Sequence, residues 1–199
     1  MAWNTEETKR RLKQAATEEF AAHGLHGTTM DRIAKRAGVN KERLYNYFGD
    51  KRRLFATVLA DELAKVAVAV PVQSLREQDV GEYAGRLFDY HAASPYLVRL
   101  LLWEALTYGD GEIPEQASRT AYYEQKVRAF TEAQRDGVLA SDPDPAHLLF
   151  LVLAVADWWF AVPQLARMLT GLDGHSEREQ AHRRAIVVDA ARRLAQPAA

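Results

Sequence analysis

Apolar side chains recur along this chain at intervals of three and four, the period of a helix, and nowhere at the interval of two that a half-buried strand requires. In a first segment Leu12, Ala15, Ala16 and Phe20 share one face, Asn4 or Thr5 can cap its start, and Gly24 can end it. The run "TTMD" places Thr28 three residues before Asp31, so a second helix opens there and turns Ile33, Ala34 and Ala37 inward. Gly38 supplies a tight turn. A third, short helix is predicted from the cap Asn40 to Phe48, with Val39, Leu44 and Phe48 joining the same small core, and Asp50 caps a fourth that reaches about Val70.

Beyond Pro71 the pattern predicts helices near 79–93, 95–108, 114–136, 145–170 and 177–195. Pro95, Pro114 and Pro145 suit first helical positions, Gly137 and Gly171 suit helix ends, and Ser176 with Glu179 reads as a capping box. The segment over 145–170 is apolar around most of its circumference, which requires burial on more than one side. The fold class is therefore all-α: a helix-turn-helix head over residues 1–50 joined to a larger helical body over 51–199.

Composition narrows the chemistry. Among 199 residues there is no cysteine, so disulfides, thiolate catalysis and cysteine-ligated zinc are excluded. The six histidines show no metal-ligand spacing beyond the pair His23 and His26, and neither a metal nor a cofactor is expected. The polar start "MAWNTEETKRRLKQ" lacks the apolar core of an export signal, and the apolar run from Leu148 to Val162 is interrupted by Asp157 and followed by Pro163. A cytoplasmic protein without a membrane partner is the expectation. Net charge is −1, but residues 1–53 hold twelve Lys/Arg against seven Asp/Glu, and the remainder fourteen against twenty. A basic head on an acidic body points to a nucleic-acid or membrane contact confined to the first quarter of the chain, with a solvated basic face as the alternative.

With Leu44 and Phe48 inward, the third helix presents Lys41, Glu42, Arg43, Tyr45, Asn46 and Tyr47 elsewhere. Cations and hydroxyls can hold phosphates, an amide can read a base edge, and flat rings can meet thymine methyl groups or sugars. Tyr45 and Tyr47 can equally be half-buried core rings. Glu42, repelled by phosphate, either accepts from a cytosine amino group or pairs with a neighbouring cation. "DKRR" sets three cations at the positive end of the fourth helix, an arrangement that makes sense if Lys51 faces phosphate. Lys9, Arg10 and Lys13, and the hydroxyls of Thr28 and Thr29, fit the same logic.

These residues, "GTTMDRIAKRAGVNKERLYNYFGDKRRLF", resemble the DNA-binding domain of TetR-family transcriptional repressors over roughly residues 8–60. The resemblance implies a homodimer of about nine helices per chain, three of them forming the DNA head. It implies DNA contacts by Lys41, Arg43, Tyr45, Asn46 and Tyr47, and phosphate contacts by Thr29 and Lys51. Glu42 and Arg43 depart from the small residues common at those positions, so no relative's operator can be borrowed.

The partners expected are a double-stranded DNA operator, a second copy of the chain met through the helices near 145–170 and 177–195, and a small-molecule effector of apolar or aromatic character. Ala181, Ala185, Ile186, Ala190 and Leu194 supply the apolar face of the last helix. Candidate effector contacts are Phe88, His91, Trp103, Tyr123, Asp157 and Trp158, although aromatics at helical spacing are more often core. A carboxylate inside an apolar run needs a partner, which for Asp157 is a cationic ligand, an arginine such as Arg99, or backbone and solvent. No P-loop, dinucleotide turn, nucleophile elbow or HExxH motif argues for an enzyme, and the short capped helices lack the long amphipathic face of a lipid-binding module.

Overall fold

The computed structural model describes residues 5–72, 75 and 79–197, and among these the chain forms ten helices and no strand. They are α1 (Thr5–Gly27), α2 (Met30–Ala37), α3 (Lys41–Phe48), α4 (Lys51–Ala69), α5 (Val80–Ala93), α6 (Tyr96–Tyr108), α7 (Gln116–Arg135), α8 (Pro145–Ala161), α9 (Pro163–Thr170) and α10 (Glu177–Ala195). Two compact units share the chain. The first runs to Lys65 and includes Tyr96–Gln116; the second comprises Val66–Pro95 and Ala117 onward. The chain passes between them three times, first within α4 after Lys65, then after Pro95 and after Gln116.

In the first unit α1 is buried on more than one side, because α2 packs on it from one direction and α6 from another. Leu12, Ala15, Ala16 and Phe20 are buried as their spacing predicts, and Phe20 meets Phe55 of α4 edge to face at 5.2 Å. Gly24 departs from helical geometry at φ 68°, ψ −178°, so the last turn of α1 continues beyond a kink. Two demands select glycine there: the positive φ, and the indole of Trp103, whose ring would stand 2.6 Å from an added Cβ. Asn4, one of the two caps expected for this helix, lies outside the described residues.

The start of α2 differs from expectation by one residue. Thr29, not Thr28, is the cap, accepting from Arg32 N–H, while Thr28 is only 1% exposed and donates its hydroxyl to Glu19 at 2.9 Å. Either hydroxyl can cap; the buried carboxylate on α1 decides the register. Ile33, Ala34, Ala37, Leu44 and Phe48 are buried as expected, whereas Val39 is only half-buried. Asn40 caps α3 through Glu42 N–H, and Asp50 caps α4 through Arg53 N–H at 2.8 Å each.

The second unit is organised around α5, which packs on α8 and α10. Gly81 and Gly85 allow α10 to approach: a Cβ at Gly81 would lie 2.6 Å from Val188 O, and one at Gly85 2.8 Å from the Val188 side chain. Arg184 of α10 then grips Asp89 and Glu82 of α5 at 2.8 and 2.9 Å. Tyr83 and Phe130 fill the interior. The helix expected over 145–170 is two helices, α8 and α9, bent by 84°. Pro163 has no N–H to continue the ladder and its ring collides with the carbonyl four residues back, so α8 ends at Ala161 and α9 restarts. The helix expected from Pro114 begins at Gln116, after a turn in which Glu115 takes φ 59°. The predicted capping box of α10 forms only by half, for Ser176 caps Glu179 N–H at 3.2 Å while the Glu179 carboxylate accepts from Arg183. No single helix among the described residues is long and apolar enough to cross a membrane.

Candidate DNA interface and effector site

Gly38 closes α2 in the left-handed conformation, its N–H returning to Ala34 and Lys35 carbonyls, and α3 departs from the Asn40 cap two residues later. Two eight-residue helices joined this tightly hold α3 by Leu44 and Phe48 and leave its other faces outward. Tyr45 is 44% exposed; Lys41, Glu42 and Asn46 are exposed, and Arg43 and Tyr47 half-exposed. Tyr47 divides its ring between Phe48, at 6.3 Å, and the Lys9 ammonium, at 5.7 Å. Of the two threonines, only Thr29 is exposed. Thr28 contributes its carbonyl, which accepts from Lys51 at 3.0 Å and thereby ties the start of α4 to the start of α2.

Many of the cations that sequence reading assigned to phosphates have carboxylate partners. Lys41 pairs with Asp31 at 2.8 Å and lies over the Tyr45 ring at 5.8 Å; its hydrogen bond to Asp31 raises its pKa. Lys9 pairs with Glu6, Arg10 with Glu7, and Lys13 with Asp61. Such exposed pairs are weak, about 0–1 kcal/mol each, so a phosphate can displace the carboxylate at little cost.

One group that the sequence reading did not single out organises the head. Glu19 of α1, 4% exposed, accepts from Thr28 at 2.9 Å, from Arg36 at 3.0 Å, and pairs with Arg32 at 3.0 Å. Burial works to raise its pKa, yet the Thr28 hydroxyl and the two arginines outweigh it and the net shift is downward. Arg11 adds a second tie, donating to the Ala37 carbonyl at the end of α2. An acid pair, Glu18–Glu19, inside a net-basic segment is the signal that pointed to it.

The candidate effector contacts separate. Phe88 and His91 on α5, Tyr123 on α7 and Asp157 on α8 all belong to the second unit, and His91 Nε2 comes to 3.0 Å from Asp157 Oδ1. That approach does not meet hydrogen-bond geometry, so Asp157 Oδ1 is buried without a hydrogen bond among the described residues, and so, independently, is His91 Nδ1 on the other side of the ring. Phe88 is buried against Phe160 at 5.0 Å. Trp103 is not brought together with them: it belongs to the first unit, where its indole N–H donates to Ala21 O at 3.2 Å beside Arg99, which donates to the same oxygen at 2.8 Å. Trp158 stands 57% exposed and lines an outer apolar groove.

Sequence reading passed over Lys126 and Tyr83. Lys126 is 6% exposed, donates to the Tyr83 hydroxyl at 3.3 Å, and lies over the rings of Tyr122 at 4.8 Å and Tyr83 at 6.0 Å. Desolvation pulls its pKa down to about 8 against the pull of Asp157, and burial pushes that of Tyr122 up to about 12. The spacing Tyr122, Lys126, Phe130 places the lysine on the inward face of α7, which was the available signal.

A capped short helix, a left-handed glycine turn and a second capped helix with a cationic and aromatic outer face define a helix-turn-helix DNA-binding regulator. The profile described as bacterial regulatory proteins, tetR family, matches residues 12–58, and that described as tetracyclin repressor-like, C-terminal domain, matches residues 79–193. This chain belongs to the TetR family of transcriptional regulators. It is 44% identical over 170 residues to the HTH-type transcriptional repressor SCO4008 of Streptomyces coelicolor, covering 85% of this chain and 87% of that one. Among solved structures, SCO4942 of Streptomyces coelicolor superposes with a TM-score of 0.80 at 35% identity, covering 95% of this chain and 98% of that one. FadR of Bacillus subtilis, in complex with stearoyl-CoA, shares the fold at 16% identity with a TM-score of 0.71, covering 92% and 97%.

Proposed function

We propose that the protein is an effector-responsive repressor that grips a palindromic operator as a homodimer and is released when a small molecule binds the second unit. One observation carries the dimer. Phe150 of α8 is 70% exposed, Met168 and Leu169 of α9 are 72% and 77% exposed, and Trp158, Leu169 and Ile186 together form an apolar face that a lone chain leaves in water. Between α8, α9 and α10 this face holds an apolar groove of about 330 Å³ lined by Trp158, Leu165, Leu169 and Ile186. A second copy related by a two-fold axis would cover it and present two α3 helices to half-sites one turn apart, about 34–36 Å.

In this reading Thr29, Lys51 and Lys41 hold phosphates, while Tyr45, Asn46 and Arg43 meet base edges. The effector acts by population shift: it favours one arrangement of the second unit, and α4, continuous from Lys51 to Ala69, carries the difference to the DNA contacts. A coupling of about 1–3 kcal/mol suffices for a useful change in operator affinity. The ligand-bound FadR structure supports an effector site in this fold.

The test begins with recovery of DNA fragments bound genome-wide, then measures the affinity for the recovered operator of Tyr45→Ala and Lys51→Ala. Each should weaken binding by about 1–3 kcal/mol, with Lys51→Ala also reducing the salt slope by about 1, while the dimer persists. Unchanged affinity in both variants would overturn the assignment of α3 and the start of α4 as the gripping surface.

A further inference from the structure

The second unit encloses a positive charge of its own. The ammonium of Lys126 lies between the rings of Tyr122 and Tyr83, at 4.8 and 6.0 Å from their centroids, with the Tyr83 hydroxyl as hydrogen-bond acceptor at 3.3 Å. Aromatic faces carry negative potential and hold cations in this way. Asp157 is close enough to act on Lys126 electrostatically and to draw positive charge toward it. Around this cage, Asp157 Oδ1, His91 Nδ1 and the Tyr122 hydroxyl are buried without a hydrogen-bond partner among the described residues. Native interiors rarely leave three such atoms in one cluster, and at the Asp157 carboxylate a cation can relieve the cost by its charge, with or without an N–H to donate.

The sign of the missing group follows from the chemistry of the cluster. An ionised carboxylate only accepts hydrogen bonds, and the ring faces of Tyr122 and Tyr83 attract positive charge. Lys126 alone favours an anion, and burial makes it readier than a surface lysine to give up its proton, with its pKa near 8. Its stem is long and flexible, so the ammonium can withdraw where a tyrosine ring or the α8 backbone cannot. We propose that the effector is an organic cation, an aromatic or quaternary ammonium, that displaces the Lys126 ammonium from the Tyr122 and Tyr83 rings and takes over the charge of Asp157. Phe160, 6.0 Å from the His91 ring, supplies apolar surface beside it. This inference rests on the reading of the second unit as an effector domain.

The experiment measures calorimetric binding of three probes to the full-length dimer: benzyltrimethylammonium, its uncharged isostere neopentylbenzene, and benzoate. The cation should bind at least about tenfold more tightly than either of the others, the range a desolvated cation–ring contact provides. Asp157→Asn should weaken the cation by about tenfold, and Tyr122→Leu likewise, whereas Tyr122→Phe retains the ring and most of the affinity. Lys126→Met should tighten the cation roughly three- to tenfold by removing the resident competitor. That gain is the discriminating result, because loss of packing or folding cannot produce it.

Tighter binding of benzoate, abolished by Lys126→Met, would overturn the proposal in favour of an anion site. Equal binding of neopentylbenzene would reduce the site to an apolar pocket, and no binding of the cation to either wild type or Lys126→Met would also overturn it. Operator affinity measured with the cation bound separates the two levels of the argument. Binding with the expected variant pattern but unchanged operator affinity upholds the cation site and removes the effector reading.

Discussion

The two units treat buried polar groups in opposite ways. In the first, the buried Glu19 carboxylate is saturated by Thr28, Arg36 and Arg32, the Ala21 carbonyl takes two donors, and the Thr28 carbonyl takes Lys51. Tyr108 OH is the exception among its described residues. In the second, His91 Nδ1, Tyr122 OH and Asp157 Oδ1 remain without hydrogen bonds around an ammonium held by rings. A polar network closed on itself fixes the geometry of α2 and α3 before DNA arrives, so little ordering has to accompany binding. An open network is a place where a ligand gains more by binding than the fold loses by rearranging. The contrast matches the two tasks proposed for them: a rigid reader and a body that responds.

The largest way to break this contrast is at the outer face of the second unit. Leu169→Asp combined with Ile186→Asp puts two carboxylates where a partner would seal an apolar surface, and sedimentation should find a monomer. Losing one of two half-site contacts should lower operator affinity by roughly 100-fold or more, about 2.7 kcal/mol. A variant that remains dimeric would move the interface elsewhere. Next in size is Glu19→Ala, which strands two arginines and Thr28. Since Arg32 and Arg36 are about half-exposed, the cost should be about 2–3 kcal/mol in urea unfolding, below that of a fully buried pair.

Acidity tests the same carboxylate. The folded Glu19 pKa lies below its ordinary 4.5, so its contribution is present above that value and is lost as pH falls through the folded one. Acid unfolding of Glu19→Gln should therefore lose part of its pH dependence below about 4.5, while Glu18, whose pKa is lowered by its hydrogen bond from Gln14 and by Arg36, retains its own share.

Helical periodicity made the architecture legible, because burial of Leu12, Ile33, Leu44 and Phe48 needs only that each helix turn one face inward. Caps at Asn40, Asp50 and Ser176 were legible for the same local reason. Part of what failed depended on partners distant in sequence. Thr28 and Thr29 are interchangeable as caps until Glu19, nine residues earlier, claims one of them. The segment over 145–170 stays apolar through Pro163, so composition concealed a break that the missing N–H imposes. Lys126 looks like a solvated charge in a polar helix; only the approach of α5 encloses it. Candidate aromatics scattered for a related reason, since helical spacing records that Trp103 and Trp158 face something without recording what.

Ala21 O accepts from Arg99 at 2.8 Å and from the Trp103 indole at 3.2 Å, just ahead of the kink at Gly24. The shorter bond comes from a charged donor and is the stronger of the two. Trp103→Phe removes only the longer one and leaves the carbonyl satisfied, so urea unfolding should report a loss of about 0.5–1.5 kcal/mol, including the packing given up against Gly24. Arg99→Leu should cost more, because it removes the charge-assisted donor. If Trp103→Phe instead cost as much as Glu19→Ala, the joint of α1 and α6 would depend on the indole alone, and the first unit would be less redundantly held than its hydrogen bonds imply.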